Sequence, residues 1–128
     1  MSLTVSVYQR AADGTRQRVE LAPGADLAGF ERWRINVWGS RHVRALGLRI
    51  LPDLDRRDLS VSGAELDALA AEVELLGGRL REVAAQIAAE GDVVSNGDPY
   101  ETIRARLDNI TAAIAVARSV PEGELVIS

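Results

Sequence analysis

The stretch SGAELDALAAEVELLGGRLREVAAQIAAE, residues 62–90, carries the most regular pattern in the chain. Its apolar residues recur at alternating gaps of three and four, at Leu66, Leu69, Val73, Leu76, Leu80, Val83 and Ile87. That spacing places them on one face of an α-helix. Ser62 and Glu65 match a capping box at its start. We therefore predict a long amphipathic helix around which the remaining elements pack.

Small residues form a second row beside this stripe, seven positions apart: Gly63, Ala70, Gly77, Ala84 and Gly91. Small side chains let another backbone approach closely, so Gly77-Gly78 is predicted to mark tight packing within a continuous helix. The alternative is a break at this pair, because each interior Gly costs about 1 kcal/mol relative to Ala.

The chain before the long helix begins with a predicted β-hairpin. Apolar and polar residues alternate from Leu3 to Tyr8, and Asp13-Gly14 suits a tight turn before a second strand from Arg16 to Leu21. The segment from Leu27 to Leu51 is then predicted to be helical, in two pieces joined at Gly39-Ser40. In its first piece Phe30, Trp33 and Val37 have the spacing of a core-facing stripe.

The remaining elements complete the predicted fold. Leu59 and Val61 predict a third strand, and Gly91 to Gly97 a loop. Asp98-Pro99 opens a last helix that should pack antiparallel to the long one, and Leu125 to Ile127 forms a final strand. The predicted order is ββ-αα-β-α-α-β. It indicates a single α+β domain over residues 1–128, with a small, mostly antiparallel sheet covered on one face by helices.

The composition excludes several classes of function. The chain has no Cys and one His, and all 15 of its basic residues are Arg. Disulfides, thiolate metal sites, Cys nucleophiles, multi-His centres and lysine chemistry are therefore absent. The net charge of −4 argues against nucleic-acid binding. No signal peptide or membrane span is apparent, so a cytoplasmic protein is expected; the use of Arg in place of Lys with abundant Ala suggests a GC-rich genome.

An Arg- and Trp-rich segment, Arg32 to Arg49, is the first candidate site. On a helix, Arg34, Trp38 and Arg41 would share a face oblique to the core, a composition typical of a protein-binding hot spot. The same arginines would suit an anion such as phosphate. The structural alternative is that Trp38 belongs to the core and the arginines form a solvated face.

The second candidate is acidic. Glu65 and Glu72, like Asp67 and Glu74, are pairs seven residues apart on the side of the long helix that we expect to be exposed. Such a patch would suit a basic partner by charge complementarity, although a solvated helix face explains it equally well. Neither a metal site nor a catalytic site is predicted. In particular, arginines interrupt the carboxylates of residues 53–58, and no nucleophile elbow, Walker loop or dinucleotide fingerprint occurs.

Residues 27–34, LAGFERWR, are followed by a helical segment and a Leu-Pro. This run resembles a pattern in small bacterial proteins encoded near polymorphic toxins, in which a Gly-Phe-x-x-Trp/Phe-Arg segment opens a helix. The resemblance implies an immunity protein, a compact α+β domain that binds one cognate toxin domain and blocks it without a cofactor. The alternatives are a small-ligand or anion-binding regulator and a structural homodimer, completed by a second copy packed against the long helix.

Overall fold

The computed structural model describes residues 2–91 and 97–128 and confirms the predicted α+β fold. Its elements, in chain order, are β1 (Ser2–Arg10), β2 (Arg16–Val19), β3 (Leu27–Phe30), a π-helical turn (Arg34–Trp38), α1 (Arg41–Arg44), a 3-10 turn (Leu51–Asp55), β4 (Leu59–Ser62), α2 (Gly63–Gly78), α3 (Leu80–Ala89), α4 (Pro99–Ser119) and β5 (Gly123–Ile127). The loop predicted from Gly91 to Gly97 lies mostly outside the described residues.

Strand β1 is the centre of an antiparallel sheet with the order β2-β1-β5-β4. Strand β5 occupies one edge of β1, whereas β2 and β3 share the other, β2 along its second half and β3 along its first. The predicted hairpin turn is confirmed. The Asp13 carboxylate accepts a hydrogen bond from the Thr15 N–H at 3.0 Å, and Gly14 adopts a φ of 89°.

Helices α2 and α4 cover one face of this sheet, as predicted. The covered face of β1 carries the buried residues Leu3, Val5 and Val7. Leu125 and Ile127 of β5 lie directly opposite Val7 and Val5 and are buried with them. The other face carries polar side chains such as Arg18 and Ser60, which are exposed. The core therefore lies between the sheet and the helices.

Of the helix predicted over Leu27 to Leu51, the two pieces joined at Gly39-Ser40 are confirmed as short elements, the π-helical turn and α1, and residues 45–50 are irregular. The prediction is wrong for residues 27–30, which form β3. Gly29 explains the difference, because its φ of 113° is incompatible with a helix and the Trp33 indole fills the space of a Cβ there. Trp33 and Val37 are buried as predicted, but Phe30 is partly exposed on an edge strand. Ser40 caps α1 as predicted, since its Oγ accepts the Val43 N–H at 3.4 Å.

The long helix of residues 62–90 is two helices, so the predicted continuity through Gly77-Gly78 is wrong. Arg79 leaves helical geometry, with φ −116° and ψ 10°, because two adjacent glycines hold the helix weakly. The capping box is also wrong, since the Ser62 side chain makes no capping hydrogen bond. The predicted core stripe is confirmed, and all seven of its residues are buried.

Helix α4 follows its prediction closely. Asp98 caps it by accepting the Tyr100 N–H at 3.0 Å, and Pro99 occupies its first turn. The early residue Arg104 donates to the Gly77 carbonyl near the end of α2. The late residue Arg118 reaches Asp67 near the start of α2. These two contacts confirm that α2 and α4 run antiparallel.

Candidate functional site

Trp38 lies in the core, which confirms the structural alternative for this residue, and the hypothesis of an exposed Trp here is wrong. Its side chain has 0% exposure, and its Nε1–H donates to the Ala28 carbonyl at 2.9 Å. The indole also packs edge-on against Trp33, with ring centroids 5.8 Å apart. The π-helical turn and β3 together enclose it. Trp38 therefore anchors the fold and is not available as a surface contact.

Arg34 connects the π-helical turn to the following segment. Its guanidinium donates to the carbonyls of Leu54 and Arg57 at 3.1 and 3.2 Å. It also pairs with Asp58 at 2.6 Å and with Glu31. One Arg side chain can serve several acceptors because its planar guanidinium presents its N–H donors in a fixed fork, which a lysine lacks. The structure thus gives Arg34 a bridging role within the chain.

Arg41 is exposed but already has a partner, Glu90, at the end of α3. The Nε2 atom of His42 lies 2.9 Å from the same Glu90 oxygen. The hydrogen bond from Arg41, followed by that from His42, lowers the pKa of Glu90 below its ordinary value. Arg44 pairs in turn with Asp55 at 2.6 Å. The structure does not assemble these arginines into a vacant anion site, because the chain's own carboxylates neutralise them.

Glu72 is partly buried against residues 49–51, so its predicted place on an exposed acidic face is wrong. Its carboxylate accepts hydrogen bonds from three successive backbone N–H groups, those of Arg49, Ile50 and Leu51, at 2.9 to 3.1 Å. The N–H groups at the start of a helical turn lack intrahelical acceptors. Glu72 supplies that acceptor for the 3-10 turn and fastens it to α2.

Glu65 and Glu74 are exposed, and within residues 2–91 and 97–128 neither carboxylate has an ion-pair partner. Asp67, in contrast, pairs with Arg118 at 3.1 Å. Residues nine apart lie on opposite sides of a helix, about two and a half turns from each other. The structure therefore does not bring Glu65 and Glu74 together. Glu74, like Asp67, faces α4.

A groove of about 470 Å³ runs between α2 and α4 on the side away from the sheet. Its floor is apolar and includes Val73, Leu107 and Ile114, which are nearly fully buried. The groove exists because α2 presents the small residues Ala70 and Gly77 to α4. Its rim carries charged side chains from both helices: Glu74, Arg104, Asp108 and Arg118.

A separate group of exposed apolar residues lies on α2, outside the lining of this groove. Leu75 is 45% exposed, and Ala64, Ala68 and Ala71 are exposed on the same outward side of the helix. We did not predict this surface from the sequence. The signal was present, since these four positions are spaced four, three and four on the side opposite the core stripe. The central helix thus has a buried apolar face and a smaller exposed one.

Other features of the described chain provide weaker sites. A cleft of about 550 Å³ near the start of α2 is lined by charges of both signs, including Arg10, Arg118, Glu122 and Glu124. Across residues 2–91 and 97–128, no cluster of three His, Asp or Glu side chains has the geometry of a metal site. In the same ranges no helix combines the length and apolarity that a membrane crossing requires.

Comparison with known protein families, with curated proteins and with solved structures found no match to this chain. The site is therefore interpreted from its own geometry. That geometry favours the α2–α4 groove, where an apolar floor and an unpaired Glu74 meet.

Proposed function

We propose that this chain is a protein-binding module that acts as an immunity protein, binding a cognate bacterial toxin domain and blocking it in the cytoplasm. The α2–α4 groove is the observation that carries the proposal. An exposed apolar surface with a rim of polar residues is typical of an interaction site, whereas a purely polar solvated face is not. Leu75 and Ala71 add exposed apolar area elsewhere on α2.

The side chains around the groove suit contact rather than chemistry. Its polar residues are an unpaired carboxylate at Glu74, a hydroxyl at Thr111 and charges already joined in ion pairs. Arg104 lies 3.4 Å from the Asp108 carboxylate, and Arg118 lies 3.1 Å from that of Asp67. None of these groups combines a nucleophile with an adjacent base, the arrangement that covalent catalysis uses.

Blocking a toxin by occlusion requires a surface and no cofactor. A stable interface buries roughly 800 Å² on each partner, so the outward faces of α2 and α4 would have to contribute to it beside the groove. The net charge of −4 would favour encounter with a basic toxin domain. The toxin assignment also draws on the resemblance of residues 27–34, although Gly29, Trp33 and Arg34 have packing roles in this fold.

The proposal is tested by affinity purification of the chain from its source cells, with bound proteins identified by mass spectrometry. We expect one stoichiometric partner, the C-terminal domain of a secreted effector. Co-expression with this chain should then restore the growth of cells that produce the isolated domain. Recovery of the chain alone, as a monomer or a homodimer by light scattering, would overturn the proposal.

A further inference from the structure

We infer that the α2–α4 groove receives a basic amphipathic helix of the partner protein. This assignment rests on the proposed binding function and names the occupant of the same site. Three features of the groove support it: the antiparallel helices that form its walls, the small residues at its floor and the charge left unpaired at its rim.

The walls favour a helix over an extended segment. Because α2 and α4 satisfy their backbone groups internally, they offer no row of free N–H and C=O groups with which a strand could pair. A helix needs no such pairing. Laid along the groove, it would complete a three-helix arrangement, with axes about 8–10 Å apart as in ordinary helix packing.

The floor favours an occupant with protruding aliphatic side chains. A Cβ on Gly77 would lie 3.4 Å from Arg104 Nη1 and 4.0 Å from Leu107 Cδ2, which are ordinary contact distances. The space at Gly77 therefore takes about one methyl group before it meets Arg104 and Leu107. The methyl end of a Leu or Ile side chain from a partner helix can occupy it.

The rim favours a cationic occupant. Arg104 and Arg118 are engaged by Asp108, by the Gly77 carbonyl and by Asp67. The Glu74 carboxylate therefore remains as the unpaired charge of the groove within the described residues. A partner Lys or Arg can pair with Glu74 while its methylene stem lies over the apolar floor. An acidic helix, or a second copy of this chain with its net charge of −4, would instead meet like charge.

The test uses two synthetic peptides of about 18 residues, long enough to span about 27 Å as a helix. Both carry Leu at the same positions, and the remaining positions are Lys in one and Glu in the other. Since the chain has no Cys, a single fluorophore can be attached through Ala115→Cys in the groove or through Ala85→Cys on the exposed side of α3. We expect the Leu/Lys peptide to shift the emission of the label at position 115 and to leave that at 85 unchanged.

The charge assignment is tested with a matched pair of reversals. Glu74→Arg is expected to weaken Leu/Lys binding at least about tenfold, whereas Glu101→Arg, an equal change on exposed α4 surface outside the groove, is expected to have little effect. Comparable binding of the Leu/Glu peptide would overturn the inference. So would an equal response of both labels, or an equal loss in both reversals.

A bulky substitution in the groove separates this inference from the proposed function. The exposed Ala115→Trp change covers the groove, and Ala85→Trp is its control. If the cellular partner binds the Ala115→Trp chain with unchanged affinity, the groove assignment fails and the immunity proposal stands. If no cellular partner is recovered while the Leu/Lys peptide meets every criterion above, the immunity proposal fails and the groove specificity stands.

Discussion

The Arg/Trp segment of residues 32–49 and the α2–α4 groove differ in how much of their chemistry is satisfied within the chain. In the segment, Trp38 is buried with its N–H donated to a carbonyl, and Arg34 has acceptors from four residues. In the groove, Thr111 and Ala115 are exposed and Glu74 has no ion-pair partner in the described chain. The segment has more of the residue types that are common in binding sites, whereas the groove has more side chains that the fold leaves exposed or unpaired.

This contrast shows why residue type alone is a poor guide to a binding site. Trp and Arg dominate hot spots because they combine large apolar area with directional hydrogen bonding. The same properties make them effective anchors inside a fold, and the segment uses them in that way. What distinguishes a binding surface is the area and charge that the fold leaves unsatisfied.

The largest effect is expected from Trp38→Ala, which should lower the free energy of unfolding by about 3–5 kcal/mol. The change removes a fully buried indole and leaves the Ala28 carbonyl without its donor. Ile35→Ala is the control in the same segment, since Ile35 is 65% exposed, and it should change stability by less than about 0.5 kcal/mol. Chemical denaturation measures both, and equal losses would show that Trp38 is not the anchor of this segment.

A smaller loss is expected from Glu72→Ala, about 2–3 kcal/mol, because three N–H groups of the 3-10 turn lose their charged acceptor. Glu74→Ala, two residues away on the same helix, should change stability by less than about 0.5 kcal/mol. Thermal or denaturant unfolding of the two variants compares a hydrogen-bonded carboxylate, that of Glu72, with one that has no ion-pair partner in the described chain, that of Glu74. If Glu74→Ala were the more damaging change, Glu74 would have a structural role and the groove would lose its unpaired charge.

Arg34→Lys should lower stability by about 1–2 kcal/mol, since an ammonium group cannot replace the guanidinium contacts to Leu54, Arg57 and Asp58. Arg41→Lys is the matched control. Arg41 is 79% exposed and forms a surface ion pair, so its replacement should have an effect of less than about 0.5 kcal/mol. Equal unfolding midpoints for the two variants would contradict the bridging role of Arg34.

The sequence predicted correctly those elements in which the spacing of apolar residues agrees with the way the element packs in the fold. The stripe from Leu66 to Ile87 and that of α4 repeat at helical spacing, and both are buried. Residues 27–51 also have apolar residues at helical spacing, but only short helical pieces form there and residues 27–30 are a strand. Part of one edge of strand β1 is paired by Leu27–Phe30, which holds these residues in a strand. Gly29 also has a positive φ that no helix provides, and the Trp33 ring packs against it. Both facts depend on tertiary structure.

The candidate site was predictable only in part, for a related reason. Helical spacing correctly placed Glu74 on the outside of α2, and it placed Glu72 there too. Whether a carboxylate stays free depends on what the fold brings beside it, and the 49–51 segment approaches Glu72 from 21 to 23 residues away in sequence. The groove itself arises from two helices that are separated along the chain, so no local pattern in either one describes it.

The smallest effect is expected at Gly77 in the groove, and it is compared with that at Gly29, which contacts Trp33 of the Arg/Trp segment. Gly77→Ala should raise the free energy of unfolding by about 0.5 kcal/mol, because Ala is the better helix former and its Cβ meets ordinary contact distances in the open groove. Gly29→Ala should lower it by about 2 kcal/mol or more, since φ is positive and the Trp33 ring occupies the position of the new Cβ. If denaturant unfolding gives changes of opposite sign in the free energy of unfolding, the space beside Gly29 is filled and that beside Gly77 is open. A loss of stability in Gly77→Ala comparable to that in Gly29→Ala would mean that α2 and α4 pack closely at Gly77, which leaves no room there for a partner side chain.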